Sequence, residues 1–190
     1  MATPNPATWD ELAVWNQAIT RMGEPVLTSL EGTSTAHQVM DTNYRPIAQA
    51  ALSRTSWRDA TTKAVLSKLA QAPAGRYAAE WQLPNDLIKI LFVYPPIRYE
   101  RQGRGLLTDE TSAVTLDYVR WVPEGAWPDL LREYVVNELI VKCYKGITGQ
   151  KVTLEQIKER DRAERQAFAD DGGQQPNFEH LPNPFVDCRG

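Results

Sequence analysis

The stretch Trp81–Pro96, WQLPNDLIKILFVYPP, is the densest run of β-branched and aromatic residues in the chain. It begins at a Leu83-Pro84 break and ends at Pro95-Pro96. Between them Leu87, Ile88, Ile90, Leu91, Phe92, Val93 and Tyr94 are interrupted only by Lys89. A short apolar run bounded by prolines reads as a buried strand. A buried helix segment is the rival, but the run is short for a helix and its bounding prolines suit a strand. The stretch is therefore expected to be the central strand, the spine of a sheet set between helical segments.

Helical signals lie on both sides. Thr8 and Glu11 have the spacing of a capping box, and Leu12, Trp15, Ile19 and Met22 make one apolar stripe. Gly23 and Pro25 end that helix, and Val26, Leu27 and Leu30 are expected to pin the loop Glu24–Gly32 to the core. A second helix begins near Thr33 or Ser34, with Ala36, Val39, Met40, Tyr44, Ile47, Ala48, Ala51 and Leu52 on its apolar face. Pro46 lies inside the pattern and predicts a kink or a restart. Pro128 opens a third helix whose apolar residues, Leu130 to Tyr144, cover more than half its circumference. It is expected to be buried by neighbours or subunits on most sides and to end at Gly146 and Gly149. Thr153 and Gln156 form a second capping box. The helix they open runs to about Asp171, with the run KERDRAER as a solvated face of i,i+4 charge pairs beside a thin stripe of Leu154, Ile157, Ala167 and Phe168.

From Trp57 to Val122 the period is that of strands. Thr61, Thr62, Val65 and Leu66 suggest one, and Ala72-Pro73-Ala74-Gly75 is a turn. Ile97–Arg101 and Leu106-Leu107 flank Gln102-Gly103-Arg104-Gly105 as a hairpin, and Val114, Leu116 and Tyr118 mark another strand. The block predicts one antiparallel sheet of four or five strands. The expected fold is α+β, mainly α. It is a four-helix bundle (8–56 and 127–171) with an inserted antiparallel β-sheet (57–122) and an extended C-terminal arm (172–190), all in a single domain. The last segment has no helical or alternating period. It reads as a disordered tail or as an arm laid on another surface. Phe178, Leu181, Pro182, Pro184, Phe185 and Val186 are more apolar than a solubilising tail needs, which favours the arm.

The chemistry is sparse. Of two histidines, His37 lies in a helical pattern and His180 in the tail, and neither has a second ligand at metal spacing. Two cysteines, Cys143 and Cys188, support neither a disulfide framework nor a four-cysteine zinc site. No nucleophile elbow or phosphate loop is present, so neither catalytic residues nor cofactors nor metals are expected. Carboxylate pairs such as Glu31 with Asp41, or Asp109 with Glu110, carry no signal among 24 acidic residues. A net charge of −3 argues against a nucleic-acid grip. No apolar run approaches the roughly 20 residues of a membrane span, and the N-terminus lacks a signal-peptide pattern.

The order of several markers resembles a known family. They are Asn16, then Gly23-Glu24-Pro25-Val26 with Ser29-Leu30-Glu31-Gly32, then Tyr44, Leu52 and Trp57. Leu83-Pro84 with Asp86 follows before a strand, Tyr118 ends the sheet, and Pro128 opens an apolar helix. In this order the chain resembles the head–tail adaptor (connector) proteins of tailed phages, in particular the tail tubular protein A group of short-tailed phages. It departs from that pattern at Arg58-Asp59, where the family carries an aromatic and a small residue. The resemblance implies a ring-forming structural virion protein, a homo-oligomer of about twelve copies, with no enzymatic activity. The ring would dock under the portal protein and present a platform to a downstream tail or nozzle protein. Genome DNA would pass through without specific binding. The helices would pack side by side, the β part would face the tail, and the arm residues Phe178, Leu181, Pro182, Pro184 and Phe185 would reach the portal. The hairpin Arg101, Gln102, Gly103, Arg104 and Gly105 is the part expected to touch the tail partner. Such a protein assembles in the bacterial host cytoplasm, belongs to the virion and has no membrane partner. Two other readings stand beside it. One is a virion-associated cell-wall hydrolase using two carboxylates; the other is a protein-binding module unrelated to phage, recognising its partner through the sheet.

Overall fold

The computed structural model of the chain describes residues 9–70, 73 and 75–174, the last five by their backbone alone. The helices are α1 (Glu11–Arg21), α2 (Thr35–Arg54), α3 (Asp129–Thr148) and α4 (Leu154–Gln174). Seven strands lie between α2 and α3: β1 (Thr61–Val65), β2 (Ser67–Lys68), β3 (Ala79–Gln82), β4 (Leu87–Tyr94), β5 (Tyr99–Gln102), β6 (Gly105–Thr108) and β7 (Thr115–Arg120).

The strands do not form one sheet. They make a three-stranded sheet in the order β1-β7-β4 and a four-stranded sheet in the order β2-β3-β6-β5, all pairings antiparallel. With about 46% helix and 21% strand, the fold is mixed α+β, and the expected four-helix bundle with a single inserted sheet is wrong. The physical reason is that the strand region has two apolar sides to bury. Leu116 and Tyr118 of β7 join Leu66, Trp81, Leu83, Val93 and Leu106 in a core between the two sheets. Val119 of the same strand joins the helices in a second core. A lone sheet would have left the first set in water, at about 25 cal/mol for each Å² of apolar surface. The chain therefore changes sheet at Leu66, in the β3–β4 connection, between β4 and β5, and between β6 and β7.

The opening stretch is also not the spine. β7 is the central strand of its sheet, and β4 is an edge. Its continuous apolar run arises from two register shifts against β7, between Leu87 and Lys89 and between Ile90 and Phe92. Each bulge re-aims the side chains that follow it. Leu87, Ile90 and Val93 thus face the inter-sheet core while Ile88 and Leu91 face the helices. Phe92 and Tyr94 face neither and are 63% and 45% exposed.

The helices follow the sequence signals with four corrections, and the α1–α2 loop with one more. Asp10 caps α1, its side chain accepting from Ala13 N at 2.8 Å; Thr8 lies outside the described residues. Of the loop residues expected to pin to the core, only Leu27 packs on it, held by paired bonds to the Asn16 amide at 2.7 and 2.8 Å, while Val26 and Leu30 are exposed. Second, α2 runs unbroken through Pro46, which lies on the exposed face where water can satisfy the carbonyl that proline strands. Third, α3 does not end at Gly146. A Cβ there would stand 3.2 Å from Val39, so this glycine lets α2 and α3 approach closely, and Gly149 at φ 74° makes the left-handed stop. α3 is covered by α1, α2 and α4 of its own chain, so its apolar circumference needs no second subunit. Fourth, two charges of α4 bridge between helices, while Lys158, Glu159, Arg162 and Arg165 form the expected solvated face. Arg160 reaches Glu138 of α3 at 3.1 Å, and Glu164 pairs with Arg54 of α2. The Thr153–Gln156 capping box forms in both directions, at 2.9 and 3.2 Å, and α4 continues to Gln174, past the expected end. The turn at 72–75 and the arm from 175 onward lie outside the described residues, apart from Pro73 and Gly75.

Candidate interaction surfaces

Four open clefts have volumes between about 330 and 480 Å³. Among the described residues no cluster of three His, Cys, Asp or Glu could hold a metal, and no helix is long and apolar enough to cross a membrane. His37 bridges instead of ligating: its ring contacts the Ser34 hydroxyl at 2.7 Å and the Ser29 carbonyl at 3.2 Å, tying the α1–α2 loop to the start of α2. Cys143 is buried in α3, and burial pushes its thiol pKa up to about 11, which makes it inert. Cys188 lies outside the described residues.

The sequence-predicted hairpin forms as β5–β6, with Gly103 at φ 57° in the turn. Arg101, Gln102, Gly103 and Arg104 are exposed, but Gly105 is buried beneath the Glu80 side chain. The turn does not project freely. The Arg104 carbonyl accepts from Leu83 N at 2.9 Å, and its guanidinium meets the Asn85 side chain, so the turn is fastened to the β3–β4 connection. The arm residues Phe178, Leu181, Pro182, Pro184 and Phe185 lie outside the described residues.

Two surfaces stand out that periodicity alone did not show. Among the described residues seven large hydrophobics are exposed, and they fall into two groups. Val26, Leu30 and Leu154 sit on the α1–α2 loop and at the start of α4, and the cleft beside this loop is completed by Ile147 at the end of α3. Val65, Phe92, Tyr94 and Tyr99 sit on the strands. Three of the second group share one face. Val65 and Tyr94 both stand opposite Thr115, and Phe92 stands opposite Asp117, which is itself opposite Lys63. This is the face whose other end, at Val119, is buried under the helices. The sheet β1-β7-β4 therefore overhangs the helical layer. On the overhang Lys63 reaches Asp117 at 3.2 Å and lies 5.5 Å from the Tyr94 ring centre. Phe92 and Tyr94 rings are 6.5 Å apart. The other oxygen of Asp117 is buried and has no donor among the described residues. The apolar run at 87–94 contained the signal, but a run without alternation hides which members point outward.

A carboxylate group was also missed. Glu11, in the first turn of α1, has its pKa raised above 4.5, mainly by burial, with the charges of Glu124, Asp41 and Asp10 adding and Arg45 opposing. Glu124 accepts from the Tyr44 hydroxyl at 2.6 Å, and burial, then that bond, raise the tyrosine pKa. A helix N-terminus ordinarily favours a charged carboxylate, so burial and like charge outweigh the dipole here. A group that holds its proton more tightly when folded contributes stability that is full below 4.5 and is lost as pH rises through the folded value. Glu11→Gln is thus expected to raise the melting temperature at pH 7, with the gain vanishing toward pH 4. Melts at the two pH values check this, and an equal gain at both would contradict it. Glu133 runs the other way. Its bidentate bonds from Arg21, at 2.6 and 2.9 Å, hold its pKa below the ordinary value, so its contribution is lost on acidification below 4.5. None of the four clefts is lined by Glu11, Asp41 or Glu124.

No protein-family model matches the chain, and no curated protein matches it.

Proposed function

We propose that this chain is a structural virion protein, a ring-forming head-to-tail adaptor that docks on the portal of a tailed phage and links it to the tail. The observation that supports this best is that exposed apolar side chains occur both beside the helices, at Val26, Leu30 and Leu154, and on the strands, where Val65, Phe92 and Tyr94 share one face. A chain that binds two different partners needs two such surfaces, and exposed apolar residues that gather together mark contact sites. In this reading the loop group around Val26, Leu30 and Leu154, with the arm residues 175–190, meets the portal. The sheet overhang and the exposed hairpin residues Arg101–Arg104 meet the tail or nozzle protein. Neighbouring copies, about twelve of them, close the ring by head-to-tail contacts, since heterologous interfaces related by a closing rotation make rings. Because α3 is filled from within its own chain, those contacts belong to the outer faces of the other elements. The net charge of −3 suits a channel through which DNA slides, since few phosphates would be neutralised and few counterions released. The protein acts in the virion after assembly in the host cytoplasm.

The two surfaces make the test separable. Phe92→Ser with Tyr94→Ser should weaken binding to the tail component at least about tenfold and leave portal binding intact; two lost aromatic contacts are ample for that factor. Val26→Ser with Leu154→Ser should do the reverse. Pull-downs with each partner read both. Equal loss with both partners, or no loss with either, would contradict the two-surface assignment.

A further inference from the structure

We propose that Ser34 and His37, at the start of α2, form a nucleophile–base pair that cleaves small carboxylic esters bound in the adjoining cleft. The Ser34 hydroxyl and His37 Nδ1 are 2.7 Å apart, and His37 Nε2 is 3.2 Å from the Ser29 carbonyl. A carbonyl oxygen only accepts, so Nε2 carries the ring proton and Nδ1 of the neutral imidazole holds a lone pair. The Ser34 O–H therefore donates to Nδ1, the direction that general-base activation of a serine requires. A nucleophile bonded to a base that a third group orients is the arrangement common to sites of this kind, and here a backbone carbonyl takes the third place. Capping alone asks only that Ser34 Oγ accept from the His37 N–H, as it does at 3.3 Å. The shorter bond to the ring and the ring's own second bond go beyond that need. The ring also lies against Gly32, where a Cβ would stand 2.5 Å from both Cε1 and Nε2, so only glycine leaves the ring in this position.

Both residues line the open cleft of about 480 Å³ whose apolar wall is Pro25, Val26, Leu27, Ala36 and Ile147. Ser34 is exposed and His37 half-buried, so a substrate in the cleft reaches the hydroxyl. The N–H groups of Thr35 and Ala36, the first two of α2, have no acceptor among the described residues. In the reaction Ser34 Oγ bonds to the ester carbonyl carbon while its proton passes to His37 Nδ1. The carbonyl electron pair moves onto oxygen, and the two free N–H groups of the first turn stabilise that charge. The adduct collapses by breaking the carbon–oxygen bond to the alcohol, which leaves with the proton from Nδ1. Water, deprotonated by the same nitrogen, then splits the acyl-serine and frees the carboxylic acid. A carbonyl stabilises the imidazolium through a dipole where a carboxylate would supply a full charge. The pair therefore suits esters with a good leaving group, such as aryl esters of short apolar acids. It needs nothing from the adaptor reading.

The test uses the full chain with two probes, an alkyl fluorophosphonate that phosphonylates activated serines and p-nitrophenyl butyrate. The expected results are a phosphonyl group on Ser34, located by peptide mass spectrometry, and steady release of nitrophenolate above buffer. Ser34→Asn keeps an N-cap acceptor, so its melting temperature should hold while labelling and turnover disappear. His37→Gln should slow both at least about a hundredfold, the lower end for a positioned general base. Gly32→Ala replaces neither reacting group, but its Cβ displaces the ring, and a misplacement of this size should slow both at least about tenfold. Label only on other residues, no label at all, or Ser34 labelling at a rate unchanged by His37→Gln would each overturn the proposal. Portal and tail binding play no part in these assays, so such a failure would leave the adaptor reading to its own tests.

Discussion

Trp57→Ala is expected to lower the melting temperature by roughly 6–20 °C, from a loss of about 3–5 kcal/mol and the usual scaling for a chain of this size. Trp57 is 2% exposed and stands where three parts of the fold meet. Its indole N–H donates to the Ala51 carbonyl at 3.1 Å, closing the end of α2. Its ring packs on Phe168 of α4, and the Thr61 hydroxyl donates to its carbonyl at 2.8 Å where β1 begins. Truncation to alanine leaves a cavity among these elements and removes the indole bond to the end of α2, which adds about 1 kcal/mol. Typical domains hold about 5–15 kcal/mol in all, so the variant should be unfolded in part at growth temperature. Phe92→Ala provides the contrast. Its ring is 63% exposed, and an exposed substitution of this kind costs within about 0.5 kcal/mol. Thermal melts followed by circular dichroism compare the two directly. A Trp57→Ala shift of less than about 3 °C, or one matched by Phe92→Ala, would contradict the assignment of core and surface.

Truncation after Gln174 is expected to abolish portal attachment while leaving the far-UV spectrum of the folded part unchanged. α4 keeps its anchors, because Ala163, Ala167 and Phe168 all precede the cut. What is lost is a segment with two phenylalanines, a leucine and three prolines. Buried aromatic anchors at interface centres are typically worth 2 kcal/mol or more apiece, so two of them amount to about a thousandfold in affinity. Co-sedimentation with portal rings measures the effect. Attachment that survives the truncation would contradict the role assigned to the arm.

Local signals in the sequence translated well where a few residues decide the outcome. Ser34 caps α2, Thr153 and Gln156 cap α4, Gly149 stops α3, and the Gly103 turn closes a hairpin. The failures lie where two layers compete for one stretch. Leu87–Tyr94 is apolar apart from Lys89 because its bulges divide it between two cores and solvent, not because it is buried on both faces. Asp117, a polar residue in the strand that proved central, concealed how deeply β7 is buried. The split into two sheets follows from long-range pairings, β1 with β7 and β3 with β6, that no local pattern encodes. Glu11 was legible as a helix-start acid, but its like-charged neighbours Glu124 and Asp41 come from distant parts of the chain.

The adaptor assignment is tested most directly by electron microscopy of the full chain mixed with the portal protein from the same genome. The account predicts closed rings of this chain stacked on one face of the portal, with the helix loops toward it and the strand region pointing away. Particles in which the chain never joins the portal, or joins it through the strand region, would contradict it.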